Sequence, residues 1–257
     1  MTQETGMDPQ RLPPGQGWQW IKRGYALFMK APPLWIVLLI ICILTAIGLS
    51  SVPVVGEPLA SLLLPALMVG LMAGCRALEQ GDELELAHLF SGFQRHTTQL
   101  VTLGGITLVC QYLIFGVMML SGGSELVGIL TSGQPVQDPA VIRQAVAGSG
   151  AAILLGATLF SILMMAMQFA PMLVFFNGIA PGQAMRLSLR AFLNNIGPMM
   201  IYSVTLMLLG MLASMPMMLG WIILLPIVFT SLYACYCDIF PAIQEKPKPD
   251  EPEANML

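Results

Sequence analysis

Five cysteines, two histidines and twenty methionines are the side chains of this sequence that could hold a soft metal or act as nucleophiles. Spacing limits what they can do. Cys42, Cys75, Cys110, Cys235 and Cys237 all lie within or at the ends of apolar runs, and an odd count with none in an outer loop gives no disulfide framework. Cys235 and Cys237 resemble half of a metal site, but residues two apart on a helix point about 200° apart. The thiols therefore read as small buried hydrophobes. His88 and His96 would lie about 12 Å apart along a helix axis, too far to share one ion. No HExxH, P-loop or GxSxG pattern occurs, and no acid lies within an apolar run near a histidine. No enzyme is expected, and no catalytic, cofactor or metal site is assigned. The methionines cluster at Met164, Met165, Met167 and Met172, and again at Met215, Met217 and Met218. Thioethers bind Cu(I), so copper handling has to be weighed. With no Met- or His-rich segment outside the apolar runs to capture the ion, irregular helix packing explains them better.

The remaining candidates are polar groups in or beside apolar sequence. Gln111 and Gln168 are the most polar side chains deep in apolar runs, and they form the candidate intramembrane polar site. An unpartnered amide in hydrocarbon costs several kcal/mol, so each is expected to face inward and bond to a neighbouring helix, each other included. Lys22, Arg23, Arg186 and Arg190 flank apolar runs and are the candidate contacts to lipid headgroups.

The composition says what must position these groups. Hydrophobic residues make up 56% of the 257 and charged residues 10%, against roughly 45–50% and about 25% in an ordinary soluble domain. So few charges cannot cover a water-soluble surface, and a net charge of −3 leaves no basic excess for nucleic acid. Charge-free runs cover 31–56, 58–75, 96–124 (counting His as neutral), 144–185 and 191–237. A spanning helix needs about 20 mostly apolar residues. The last run fits two helices, divided near Pro216, because proline removes a backbone donor. Six spans result: 34–55, 59–78, 100–120, 151–177, 196–215 and 218–240. The expected fold is all-α, a polytopic bundle of six transmembrane helices with amphipathic interfacial helices and a weak internal repeat. Residues 1–33 form an N-terminal segment with an interfacial helix, 34–240 the transmembrane domain and 241–257 a disordered tail.

All basic residues except Arg143 fall on one side of this arrangement. The positive-inside rule makes that side cytoplasmic, with both termini there. No cleavable signal peptide is expected, and the compact loops suit a bacterial inner membrane. Residues 15–30 read as a surface helix with Trp18, Ile21, Tyr25 and Phe28 on one face and Trp20 adding to an aromatic belt. Residues 82–95 place Leu86, Leu89, Phe90 and Phe93 together, with Asp82 and Glu85 resembling a capping box. Residues 181–194 place Met185, Leu189, Phe192 and Leu193 together, with Pro181 in the first turn. The order span, amphipathic helix, span thus occurs twice, which is the basis of the repeat. The outer loop, 121–150, holds one short helical candidate, 139–147.

The stretches Gly17-Trp18-Gln19-Trp20, Pro65-Ala66-Leu67-Met68-Val69-Gly70-Leu71-Met72-Ala73-Gly74-Cys75-Arg76-Ala77, Leu89-Phe90-Ser91-Gly92-Phe93 and Ala184-Met185-Arg186-Leu187-Ser188-Leu189-Arg190-Ala191-Phe192 carry a resemblance. Together they resemble an uncharacterised family of proteobacterial six-helix inner-membrane proteins. In layout the chain is also similar to the membrane region attached to some glycerophosphodiester phosphodiesterases. The resemblance implies the fold and the compartment and no activity. The functional expectation is a non-enzymatic inner-membrane protein acting through membrane lipids, another membrane protein or a second copy of itself. The alternative is a small-solute transporter, for which the prolines at 171, 198 and 226 and the two glutamines speak, and against which the lack of an intramembrane charge speaks.

Overall fold

The computed structural model describes residues 8–52, 55–132 and 138–241. The expected tail, apart from Pro241, lies outside the described residues. The helices are α1 (Gln16–Phe28), α2 (Pro32–Ser50), α3 (Gly56–Gln80), a 3₁₀ helix (Leu86–Phe93), α4 (Thr97–Met118), α5 (Ser124–Thr131), α6 (Pro139–Ala147), α7 (Gly150–Met167), α8 (Ala170–Asn177), α9 (Pro181–Asn194), α10 (Ile196–Ser214) and α11 (Trp221–Ile239). Six stretches are long and apolar enough to cross a membrane: α2, α3, Thr97–Thr131, Gly150–Asn177, α10 and α11. This is the expected all-α membrane bundle.

The spans are not equivalent. Half of the α3 window and 61% of the α11 window are buried within the protein, against 22–28% for the other four. α3 and α11 therefore form the centre, and the other helices turn most of their apolar surface outward. Lipid tails are as apolar as leucine, so close backbone approach rather than hydrophobicity selects the contacting faces. Along α3 this is visible directly. A Cβ added to Gly70 would collide with the Leu89 carbonyl, one on Gly92 with the Ala66 carbonyl, and one on Gly104 of α4 with Ser61.

Two spans are interrupted. A π-helical turn, Met119–Gly123, with Gly122 at φ 91°, joins α4 to α5, so the stretch expected as outer loop contains α5 as well as α6. The fourth span breaks between α7 and α8, because Pro171 has no N–H to continue the ladder. The break is bridged from another helix. Ser188 Oγ accepts the Phe169 N–H at 3.0 Å and donates to the Met165 carbonyl at 2.8 Å, so one hydroxyl of α9 stands in the place of an i→i−4 bond.

The first connector differs from expectation in helix type and cap, and each amphipathic segment buries small residues. The first connector is 3₁₀ rather than α and starts at Leu86. Its reciprocal cap joins Glu85 to His88, not Asp82 to Glu85. A three-residue period aligns Leu89 and Gly92 on one ridge against α3, while Phe90 is exposed, as is Leu86 at the start of that ridge. α9 has the expected bounds, but it buries Ala184, Leu187, Ser188 and Ala191, with Leu193 exposed. α1 buries Gly17, Trp20, Ile21, Gly24, Leu27 and Phe28 against α10 and α11, leaving Trp18 and Tyr25 outside. In each case small residues face the protein and some of the large apolar residues point away from it.

Candidate functional site at the connector end

α1, the 3₁₀ helix and α9 gather at one end of the bundle, here the connector end, where α3, α8 and α11 terminate. Gly81 closes α3 in the left-handed region (φ 88°), and Lys30 Nζ donates to the Leu78 carbonyl at 2.6 Å. Gly178 closes α8 in the same way (φ 64°), its N–H on the Val174 carbonyl. Both glycines meet a positive φ that other residues adopt only at a cost. The chain thus stops each helix with its last polar side chains turned toward α11.

Between these ends lies a cavity of about 270 Å³. α3 supplies Arg76, Glu79 and Gln80, α8 supplies Phe176 and Asn177, and α11 supplies Tyr233 and Tyr236. Tyr233 donates its hydroxyl to Glu79 Oε2 at 2.9 Å, and Asn177 Nδ2 donates to the Tyr236 hydroxyl at 2.8 Å. The Arg76 guanidinium lies 5.2 Å over the Phe176 ring, within cation–π range. Phe176 in turn stacks on Tyr236 at 5.9 Å. Among the described residues no carboxylate pairs with Arg76.

Beside this cavity Asp238, near the end of α11, ties α1 down. It pairs with Arg23, accepts from Gln16 Nε2 at 2.6 Å and accepts from Trp20 Nε1 at 3.0 Å. Burial pulls the Arg23 pKa down, but the hydrogen bond and charge of Asp238 outweigh it and hold the guanidinium above its ordinary value. Thr230 adds a bond to the Gly24 carbonyl at 2.8 Å.

The residues singled out from sequence are dispersed. Gln168 is partly buried at the α7–α8 break, its Nε2 4.0 Å from Met199 Sδ. Gln111 is partly buried and lines a separate cavity of about 570 Å³ that also reaches Glu57. No hydrogen bond joins the two amides among the described residues. Lys22 is exposed beside an apolar groove of about 710 Å³ bounded by α1, α10 and α11. Arg23 is held by Asp238, while Arg186 and Arg190 are exposed on α9 away from its buried stripe. The two methionine clusters differ. Met215, Met217 and Met218 are exposed in the α10–α11 turn, whereas Met172 is buried. No group of three or more His, Cys, Asp or Glu is placed to hold a metal ion among the described residues.

Sequence reasoning did not single out Arg76, Glu79, Asn177, Tyr233, Tyr236 or Asp238 as a site. A signal for four of them was present: two polar pairs three residues apart, Arg76 with Glu79 and Tyr233 with Tyr236, each in the last turns of an apolar run. That spacing puts each pair on one helical face.

The fold and this site define a multi-pass α-helical membrane protein whose polar groups concentrate at one end. No protein-family model matches the chain, and no solved structure matches it. A protein of Burkholderia thailandensis described as a probable inner membrane protein is 28% identical over 261 residues, covering 93% of this chain and 96% of that protein. That similarity and the six apolar helices support a multi-pass inner-membrane location.

Proposed function

We propose that the protein is a non-enzymatic inner-membrane component that works through membrane lipids or a membrane-protein partner, with both termini in the cytoplasm. The single observation that carries this reading is the exposed cationic face of α9. Arg186 and Arg190 stand one turn apart, opposite the buried stripe, and neither is paired with a carboxylate among the described residues. Two guanidinium groups so placed suit phosphate oxygens at a membrane surface. Lys22 beside its apolar groove is a third exposed cation. In this reading 1–33 is a cytoplasmic segment, 34–240 the membrane domain and 241–257 a cytoplasmic tail.

The test has two arms. Cysteine-directed labelling of intact cells should modify Ser132→Cys and spare Gln94→Cys and Glu251→Cys; labelling of Gln94→Cys would overturn the orientation. Protein reconstituted with and without phosphatidylglycerol should retain that lipid on purification, and the double change Arg186→Gln, Arg190→Gln should abolish the retention. Equal retention by the variant would remove the basis of the reading.

One feature favours a second reading. The mostly apolar cavity that Gln111 and Glu57 line would suit a small, largely apolar solute with one polar group. Solute uptake by proteoliposomes that Gln111→Leu abolishes would decide for transport.

A further inference from the structure

The connector-end cavity holds two opposite charges apart. Arg76 and Glu79 are three residues apart on α3, which places their Cβ atoms about 5–6 Å from each other and ordinarily lets such a pair interact directly. Here no ion pair joins them among the described residues. Glu79 is drawn to the Tyr233 hydroxyl on α11, and Arg76 lies over Phe176 on α8. Two other helices thus keep the charges from neutralising one another, with the cavity between.

The remaining hydrogen-bonding capacity is also divided. Tyr236 is only 2% exposed and accepts from Asn177, which leaves its own O–H proton free to donate into the cavity. The Arg76 guanidinium brings further N–H donors to the same site. Glu79 Oε2 is engaged by Tyr233, while its other oxygen remains an acceptor. The site therefore offers donors for an anion and, one helical turn away, a carboxylate for a cation. Its lining carries one positive and one negative charge, so neither a lone anion nor a lone cation satisfies it.

We propose that this cavity binds a small zwitterion bearing a phosphate and a primary ammonium, a phosphoethanolamine group, with Arg76 and Tyr236 on the phosphate and Glu79 on the ammonium. A volume of about 270 Å³ is at the small end of ligand pockets, large enough for a headgroup and too small for a nucleotide. The group can arrive free or as the headgroup of a phospholipid. The proposal rests on the lipid-partner reading only for the second of these sources.

The experiment uses the full chain in phospholipid-free detergent and titration calorimetry with four probes: free phosphoethanolamine, short-chain phosphatidylethanolamine, short-chain phosphatidylglycerol and ethanolamine. Saturable binding of the first two is expected, at least about tenfold tighter than either single-charge probe, as the loss of one charged hydrogen bond implies. Tighter binding of the lipid than of free phosphoethanolamine identifies the headgroup as the source, and equal binding identifies the soluble compound. Glu79→Gln keeps an acceptor for Tyr233 and should weaken the zwitterions about tenfold while leaving phosphatidylglycerol unchanged. Arg76→Gln should weaken every phosphate-bearing probe. The proposal is overturned if folded wild-type protein binds neither zwitterion, or if Glu79→Gln binds both as wild type does. The α9 double variant Arg186→Gln, Arg190→Gln separates the two ideas. It should lose phosphatidylglycerol retention in membranes and keep the zwitterion affinity in detergent.

Discussion

The two connectors occupy equivalent places, each between two spans at the same end of the bundle, yet they are held by different means. The 3₁₀ helix lies on α3 through backbone contact. Gly70 meets the Leu89 carbonyl and Gly92 meets the Ala66 carbonyl, with no room for a methyl group at either. α9 instead reaches into a broken helix with a hydroxyl, taking the Phe169 N–H and giving a proton to the Met165 carbonyl. The first solution uses the absence of side chains; the second uses one polar atom in the right place. The contrast shows that a repeated order of elements does not fix how they are joined. A steric contact fails abruptly when atoms are added, whereas a hydrogen-bonded insertion can re-form its bonds in another way when an atom is removed.

That contrast can be broken by substitution. Gly92→Ala should have the largest effect, a loss of about 1–3 kcal/mol, because the new Cβ meets the Ala66 carbonyl and backbone must shift. Thermal unfolding of the detergent-solubilised protein reads this, and a variant as stable as wild type would mean that the 3₁₀ helix is not seated by close approach. Ser188→Ala should cost less, about 1 kcal/mol, since Phe169 can bond to the Met165 carbonyl directly once the hydroxyl is gone. Hydrogen exchange at the Phe169 amide sharpens the point: faster exchange in Ser188→Ala than in wild type is expected, and unchanged exchange would remove the bridging role.

α1 combines both modes, with Gly17 and Gly24 against neighbouring backbone and Asp238 as its polar anchor. Asp238→Asn keeps an acceptor oxygen for Gln16 and Trp20 but loses the charge and the hydrogen bond to Arg23, whose side chain is 46% exposed. Its cost in the same unfolding assay should stay below about 1 kcal/mol and shrink further in high salt. A loss matching that of Gly92→Ala would show that the charge, not the glycine face, seats α1. The smallest effect is expected from Gly182→Ala at the start of α9. Nothing lies within 4 Å of the added Cβ, so stability should hold or rise by less than about 1 kcal/mol.

The spans and connectors were legible to very different degrees. Charge-free runs located all six spans, and Pro181 with the spacing of α9 located that helix to the residue. Which face each connector buries was not legible from the same periodicity. In water a stripe of large apolar residues marks the core, but beside lipid that stripe can equally face outward. Phe90, Leu193, Trp18 and Tyr25 therefore marked a shared apolar face without marking the face against the protein, which Gly92, Ala184, Ser188, Gly17 and Gly24 form. The cavity was hidden for another reason. Arg76 and Tyr233 are far apart in sequence, and local spacing says nothing about which helix ends will meet.

The anchoring of α1 has a bearing on how the protein is assembled. α1 is the first of the described helices to be synthesised, and its partners Ser231, Thr230 and Asp238 lie on the last. Long-range contacts of this kind form late, because nearly the whole chain must be present before they are rewarded. During translation α1 therefore waits with Gly24 uncovered and Trp20 without its Asp238 partner until α11 has entered the membrane. Its docking then marks completion: a chain arrested before α11 has no Thr230, Ser231 or Asp238 to close on α1, and a finished one does.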